Sequence, residues 1–147
     1  MPKPQVGFIA VQDRVCRASI TRSLRRLSWS VVAYASGYHL VEALADVIIG
    51  DVIGPRPDLI VVDAISAGCS GVTIAAGFRD LGLEIPMILI APSEASDVTP
   101  DAYARSVILV DPAAAATALV RIATLPPARP ASRYGDERSE DRSGHVR

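Results

Sequence analysis

Five nearly continuous apolar runs, separated by segments with helical periodicity, constrain this chain more than any other feature. The runs cover residues 6–11, 30–35, 58–62, 86–91 and 106–110. Four of them consist almost entirely of aliphatic and β-branched residues, which is typical of strands buried on both faces of a parallel sheet. The pattern therefore predicts an α/β protein with five parallel strands and helices on both faces of the sheet.

The segment between the first two runs has the periodicity of an amphipathic helix. Its apolar residues fall within a narrow arc at 100° per residue; they are Cys16, Ile20, Leu24 and Leu27. Its polar residues point the other way; they are Arg14, Thr21, Arg22 and Arg25. We expect a helix with a buried apolar face and a basic outer face.

Three further helices are predicted over residues 38–49, 72–82 and 112–124. Asp111 and Pro112 are typical of the N-cap and the first position of the last helix. Gly82 is typical of the C-cap of the helix before it. The segment 91–106 contains two prolines and few apolar residues, so we expect only a short or irregular helix there.

Composition limits the domain organisation to one globular unit. The chain has 147 residues, of which 50% are hydrophobic and 21% charged, so it can bury a core of its own. We assign residues 5–124 to this domain. Residues 125–147 are rich in Pro, Arg, Ser and acidic side chains, which predicts a disordered polar C-terminal tail.

Charge and hydropathy exclude several classes of partner. The net charge of −1 provides no broad positive field for nucleic acid or for an anionic membrane. No run of about 18 apolar residues and no signal peptide is visible, which predicts a cytoplasmic protein. The two cysteines, Cys16 and Cys69, form no CxxC pattern, so neither a zinc site nor a disulfide framework is indicated.

Three carboxylates follow the apolar runs, at the ends of the predicted strands. Asp13 follows the first run, Asp63 the third and Asp111 the fifth. Parallel α/β sheets place their sites outside the carboxyl ends of the strands, where a charge can reach solvent. We expect these side chains at one edge, although Asp63 could also bond the backbone of the loop 66–68, and Asp111 is more simply a helix cap.

The sequence resembles the receiver domains of two-component response regulators over residues 5–124. The stretch PDLIVVDAISAGCSG is similar to their third strand, phosphoacceptor aspartate and following loop, with Asp63 at the phosphoacceptor position. The stretch FIAVQDRVCRASITRSLRRL is similar to their first strand, acidic pair and first helix, with Gln12 and Asp13 at the acidic positions. The resemblance implies a flavodoxin-like doubly wound sheet with the strand order 2-1-3-4-5.

The chain departs from the receiver pattern at four positions. Gln12 replaces one acid of the pair, and Ala91 stands where the family has a hydroxyl residue. Asp111 replaces the conserved lysine of a Lys-Pro pair, and Ile108 stands at the position of the switch aromatic residue. If the resemblance were complete, the Asp111–Pro112 bond would be cis, although a capping Asp111 is also compatible with trans.

These departures predict an atypical, stand-alone receiver that is not an enzyme. It would act in signal transduction through protein–protein contacts, largely without phosphorylation. No cofactor is required, and Mg²⁺ would bind weakly, if at all, at Asp13 and Asp63. The alternative is a working phosphorelay receiver, phosphorylated on Asp63 by a histidine kinase or a phosphotransfer protein.

The resemblance also indicates which surfaces could meet a protein partner, whether a histidine kinase, a phosphotransfer protein or another signalling protein. One candidate surface comprises Tyr103 and Arg105 in the fourth crossover and Arg121 on the last helix. Arg22 and Arg25 on the first helix form the rival surface, which suits a kinase-like helical bundle.

Two other functional classes are disfavoured by the sequence. A flavodoxin-like enzyme would need a phosphate-binding loop after an early strand, but the stretch QDRVCRAS contains no glycine. A DNA-binding regulator would need an output domain, and some twenty polar residues after the last helix leave no room for a helix-turn-helix motif.

Overall fold

The chain folds into a five-stranded parallel sheet with helices on both faces. The computed structural model describes residues 5–50, 56–66, 69–91 and 107–124. The strands are β1 (Val6–Ala10), β2 (Ser30–Ala33), β3 (Leu59–Asp63), β4 (Met87–Ile90) and β5 (Val107–Val110). Their order in the sheet is β2-β1-β3-β4-β5, and all four neighbouring pairs are parallel, which confirms the predicted fold class and strand order.

Four α-helices are described, and they are α1 (Arg14–Arg26), α2 (Gly37–Ile48), α3 (Gly71–Leu81) and α4 (Ala115–Ala123). One turn of 3-10 helix, Pro112–Ala114, leads into α4 with Asp111 as its N-cap, as predicted. Gly82 ends α3 in the left-handed conformation at φ 71°, also as predicted. The predicted irregular crossover at 91–106 and the tail at 125–147 lie almost entirely outside the described residues.

Successive side chains of the central strands point to opposite faces of the sheet, so their apolar residues contribute to two cores. On one face Phe8, Ile60 and Leu89 pack with α2 and α3. On the other face Ile9, Val61 and Ile88 pack with α1 and α4. Because both faces are covered, the middle strands are apolar at every position except where they emerge at the carboxyl edge.

Helix α1 buries the arc that its periodicity predicts. Cys16, Ile20 and Leu24 are buried, while Arg14, Arg22 and Arg25 are exposed. The helix begins at Asp13, whose side chain caps it, and ends before Ser28, the one described non-glycine residue with positive φ. None of the described helices is both long and apolar enough to span a bilayer.

Candidate functional site

Asp63 is the last residue of β3, and its carboxylate meets the chain as it leaves β1. Its Oδ2 accepts the backbone N–H of Gln12 at 2.8 Å. Partial burial raises the pKa of Asp63, the Gln12 hydrogen bond partly offsets that rise, and the carboxylate of Asp13 raises it further. The site therefore holds a half-buried carboxylate beside a second acid.

The two positions of the acidic pair both have structural bonds in this chain. The Gln12 amide Nε2 donates to the carbonyl of Ala35 at 2.7 Å, which ties the loop after β1 to the loop after β2. Asp13 Oδ2 accepts the N–H of Cys16 at 2.9 Å as the N-cap of α1. Each residue thus orders a loop at the carboxyl edge as well as bordering Asp63.

A buried thiol lies next to these carboxylates. Cys16 is 6% exposed, and burial, followed by the charges of Asp13 and then Asp63, raises its pKa. The thiol therefore stays protonated and fills space under the site. It forms no disulfide.

The described residues that follow β4 and β5, Ala91 and Asp111, offer neither a hydroxyl nor a cation. Ala91 is 4% exposed and donates its N–H to the carbonyl of Val110 at 2.9 Å. Asp111 Oδ1 accepts the N–H of Ala114 at 2.9 Å and so caps the turn before α4. Ile108 is half-buried and packs against the apolar cluster beneath α1 and α4.

The expectation of a cis Asp111–Pro112 bond is wrong, because no peptide bond in the described segments is cis. Asp111 adopts an extended conformation, with φ −84° and ψ 163°, and its carboxylate caps the following turn. The trans bond is the ordinary form of X–Pro, and it is compatible with this cap.

Asp63 ends β3, Ala91 and Asp111 directly follow β4 and β5, and Asp13 lies between β1 and α1. All four residues therefore lie at the carboxyl edge of the sheet, where the sequence predicts them. Asp13 is close enough to Asp63 for its charge to raise the pKa of Asp63. Within residues 5–50, 56–66, 69–91 and 107–124, however, no three His, Cys, Asp or Glu side chains form a group that could hold a metal ion. Asp111 therefore does not complete a metal site with the other two.

After Asp63, the described residues Ser66 and Ser70 hydrogen-bond to each other. Ser66 donates its N–H to Ser70 Oγ at 3.0 Å, and the Ser70 hydroxyl donates to the Ser66 carbonyl at 3.1 Å. Gly71 follows at the start of α3, where an added Cβ would lie 2.6 Å from the Asp63 carbonyl oxygen. This close approach brings α3 against the strand that carries Asp63.

The raised pKa of Asp63 predicts a pH-dependent stability difference between the wild type and Asp63→Asn. Because the folded-state pKa lies above the unfolded one, the folded chain binds the proton more tightly, and this contribution is lost as pH rises through the folded pKa. We expect Asp63→Asn, whose amide oxygen can still accept the Gln12 N–H, to be more stable than the wild type at neutral pH. The advantage should shrink on acidification.

Urea denaturation of both proteins across the acidic and neutral range measures this difference. A variant less stable than the wild type at neutral pH would contradict the net cost of burying the Asp63 charge, which its raised pKa indicates.

Several solved structures share this architecture. A putative response regulator from Chloroflexus aurantiacus has a TM-score of 0.62 and 19% identity, covering 82% of this chain and 95% of that one. A phosphorylated cyanobacterial phytochrome response regulator has a TM-score of 0.61 and 20% identity, covering 82% and 91%. The receiver domain of a sensor histidine kinase from Pseudomonas aeruginosa, with magnesium coordinated in its active-site cleft, has a TM-score of 0.59 and 18% identity, covering 81% and 97%.

The chain has the receiver-domain fold. No protein-family model and no curated protein sequence matches it, so the likeness is one of structure at low sequence identity. Within the receiver fold, Asp63 lies at the carboxyl end of the central strand β3. The predicted resemblance is thereby confirmed at the level of fold.

The predicted partner surfaces are described only in part. Arg22 and Arg25 are exposed on α1, and Arg121 is exposed on α4. Tyr103 and Arg105 lie outside the described residues. The two helices pack against each other across the same face of the receiver fold.

Proposed function

We propose that this chain is a receiver-type protein of two-component signalling that acts by binding another protein, largely without phosphorylation of Asp63. One observation carries the proposal. Asp63 and Asp13 remain at the carboxyl edge, but the ends of β4 and β5 present a buried methyl group at Ala91 and a helix-capping carboxylate at Asp111.

Phosphoryl transfer to a receiver needs more than the nucleophile. The aspartate oxygen forms a bond to phosphorus as the phosphohistidine P–N bond breaks, and the transferred oxygens carry negative charge throughout. In the family, a divalent cation, a lysine and a hydroxyl stabilise that charge. Here the acidic pair is reduced to Gln12 and Asp13, and neither the lysine nor the hydroxyl is present.

The replacement of the lysine has the largest electrostatic effect. At about 4 Å and an effective dielectric constant of about 20, an ammonium group attracts a phosphoryl oxygen by about 4 kcal/mol, and a carboxylate repels it by a similar amount. Solvent reduces both values and leaves their signs unchanged. Asp111 also accepts the Ala114 N–H at 2.9 Å, which holds its carboxylate at the start of the 3-10 turn before α4.

The residues present fit Mg²⁺ only poorly. Asp13 and Asp63 each have one carboxylate oxygen in a backbone hydrogen bond, which leaves one oxygen of each for a cation. One or two carboxylates and several waters can bind Mg²⁺, but the third protein group is absent among the described side chains. We therefore propose weak binding at most and no cofactor requirement.

The conformational switch of receivers also lacks its side chains. In the family, the phosphoryl group attracts the hydroxyl residue and the switch aromatic residue moves with it, which shifts the surface formed by the last strand and helix. Ala91 has no hydroxyl, and Ile108 packs against the core on the α1 and α4 side. The surface should therefore rest in a single arrangement that a partner binds directly.

The alternative is a working phosphorelay receiver. Asp63 and Asp13 favour it, and the cyanobacterial structure is of a phosphorylated regulator with the same fold. The two proposals differ in whether Asp63 is phosphorylated. The described part of the chain gives no support for an enzymatic role. We therefore propose a protein-binding role in the cytoplasm.

Partner binding with and without Asp63 tests the proposal. A partner captured with the full chain should bind Asp63→Ala with a free energy within about 0.5 kcal/mol of its value for the wild type. Asp63 would lie outside the contact surface, and a substitution distant from that surface leaves the binding free energy nearly unchanged. Phosphodonor should change neither value. Isothermal titration calorimetry measures both, and circular dichroism verifies that the variant is folded.

Charge reversal locates the contact surface. Arg105→Glu with Arg121→Glu should weaken binding through lost electrostatic complementarity if the partner contacts the α4 side. Arg22→Glu with Arg25→Glu should do so if it contacts α1. A partner whose affinity collapses in folded Asp63→Ala would show that Asp63 still carries the signal and would overturn the proposal.

A further inference from the structure

The outer edge of β2 is an open strand edge. Ser30 and Tyr34 donate their N–H groups to the carbonyls of Gln5 and Ile9, at 2.8 Å each, so residues of this parity face β1. Val31 and Ala33 have the opposite parity, and their N–H and C=O groups point away from the sheet. Within the described segments, β2 has a neighbour on one side only, and these outward groups have no partner there.

Proteins protect strand edges by keeping the strand short, as the four residues of β2 are, or by placing a charged residue or a proline on the strand itself. The β2 sequence, Ser-Val-Val-Ala, contains neither. Its outward donors and acceptors alternate at the spacing that only another extended backbone matches. The edge is therefore a template for strand addition.

A basic groove borders this edge. It lies between Ala33, the last residue of β2, and one side of α1, and its arginines are Arg14, Arg17, Arg22, Arg25 and Arg26. Arg17 donates to the carbonyl of Val11 at 3.2 Å. No carboxylate in the described part of the chain pairs with any of the five, since the ion pair found there joins Arg79 to Asp80.

We propose that the β2 edge and the arginine groove together bind an extended acidic segment of a partner protein, which adds a sixth strand beside β2. Side chains of a strand alternate between the two faces of a sheet, so every second residue of the added strand would lie on the α1 side. Acidic residues at those positions would meet the guanidinium groups, while the backbone pairs with Val31 and Ala33.

The combination favours a polypeptide over a nucleic acid. Arginines alone would attract any polyanion, but the outward backbone groups of Val31 and Ala33 require donors and acceptors in alternation. This inference rests on the proposed role as a protein-binding module, and it is independent of Asp63 and of the α4 surface.

Amide hydrogen exchange on the full chain tests the backbone half of the proposal. The probe is a synthetic ten-residue peptide in which glutamate alternates with threonine. At saturation, exchange of the Val31 and Ala33 amides should slow about tenfold or more, corresponding to about 1.4 kcal/mol. The amides of Ser30, Val32 and Tyr34, which face β1, should change little and provide the internal control.

Two further peptides separate charge from strand pairing. Replacing each glutamate by lysine should abolish binding, and N-methylation of the alternate backbone nitrogens that face β2 should weaken it about tenfold or more. A peptide that binds equally well when N-methylated, or one that leaves Val31 and Ala33 exchange unchanged at saturation, would overturn strand addition.

Matched double variants test the charge half. Arg22→Glu with Arg25→Glu should weaken binding of the glutamate peptide about tenfold or more, whereas Arg56→Glu with Arg79→Glu, the same change in net charge away from the groove, should leave it within about twofold. Equal losses in both variants would show a nonspecific charge effect and contradict the proposal. Equal affinity for a single-stranded DNA 10-mer would do the same.

A truncated chain tests whether the chain's own acidic segment, residues 136–141, occupies the groove. If a chain ending at Thr124 binds the peptide about tenfold more tightly than the full chain, that segment is the occupant and the assignment to a partner is wrong. Phosphodonor labelling of Asp63 is measured separately. Loss of peptide binding without labelling contradicts this inference alone, while labelling with intact peptide binding contradicts the proposed function alone.

Discussion

Gly71→Ala is expected to lower the free energy of unfolding by about 2–3 kcal/mol, as overpacking of a filled core does. A Cβ at this position would lie 2.6 Å from the Asp63 carbonyl oxygen, 2.8 Å from Leu89 Cδ2 and 2.9 Å from Val62 Cγ1. One of these neighbours is backbone of β3, so relief requires α3 to move away from the sheet. The variant should therefore perturb the site as well as the stability.

Gly77→Ala is the matched control on the same helix. A Cβ there has no neighbour within 4 Å, and α3 continues on both sides of it. Alanine in a helix interior is more stable than glycine by about 0.5–1 kcal/mol, so this variant should gain stability. Guanidinium denaturation of both proteins measures the contrast, and a Gly71→Ala protein as stable as the wild type would contradict the packing of α3 on β3.

Introducing the receiver-type side chains at three positions is expected to permit phosphorylation of Asp63. The triple variant Gln12→Asp, Ala91→Thr, Asp111→Lys carries the second acid, the hydroxyl and the cation that stabilise an aspartyl phosphate in receiver domains. The change Asp111→Lys converts a repulsion of about 4 kcal/mol between the side chain and a phosphoryl oxygen into a comparable attraction. Even after solvent reduces both values, we expect labelling to increase more than tenfold. Incubation with a small phosphodonor and Mg²⁺, followed by intact mass spectrometry, measures the gain.

Two of the three substitutions also remove bonds that the fold uses. Gln12 donates its side-chain amide to the Ala35 carbonyl, and Asp111 caps the turn before α4, a cap with a typical worth of about 1 kcal/mol. The triple variant must therefore be shown to be folded before its labelling is interpreted. The same triple variant with Asp63→Asn is the control, and a folded triple variant that gains no label would show a crevice remodelled beyond these side chains.

The fold could be predicted from the sequence because strands buried on both faces of a sheet appear as continuous apolar runs. A middle strand such as β3 contacts helices on either side, so every position before Asp63 is apolar. Helix α1 has solvent on one side, so its pattern has the helical period. The edge strand β2 is only partly buried, and the predicted run at 30–35 extends past its observed end at Ala33.

The positions of the candidate site could also be predicted, but its bonds could not. Sequence order places Asp63 and Asp13 at the ends of their strands, and the parallel sheet brings those ends together. The bond from the Gln12 N–H to Asp63 joins residues 51 positions apart, and the bond from the Gln12 amide to Ala35 spans 23. Such contacts depend on side-chain rotamers and loop geometry, which produce no periodic pattern in the sequence.

The basic groove shows the same limit. The arginine face of α1 is visible as a periodic pattern, but its position beside the open edge of β2 follows from sheet order and helix packing together. The trans Asp111–Pro112 bond is a further case, because the resemblance implied cis while the cap that accompanies trans is a local contact of Asp111.

We propose above that this chain acts largely without a phosphoryl group on Asp63. Incubation of the wild-type chain with a small phosphodonor and Mg²⁺, with intact mass spectrometry under conditions that preserve acyl phosphates, tests it most directly. Asp63→Asn serves as the blank. We expect little or no adduct on the wild type beyond that blank, and a stoichiometric adduct that maps to Asp63 would show that the site is phosphorylated and overturn the proposal.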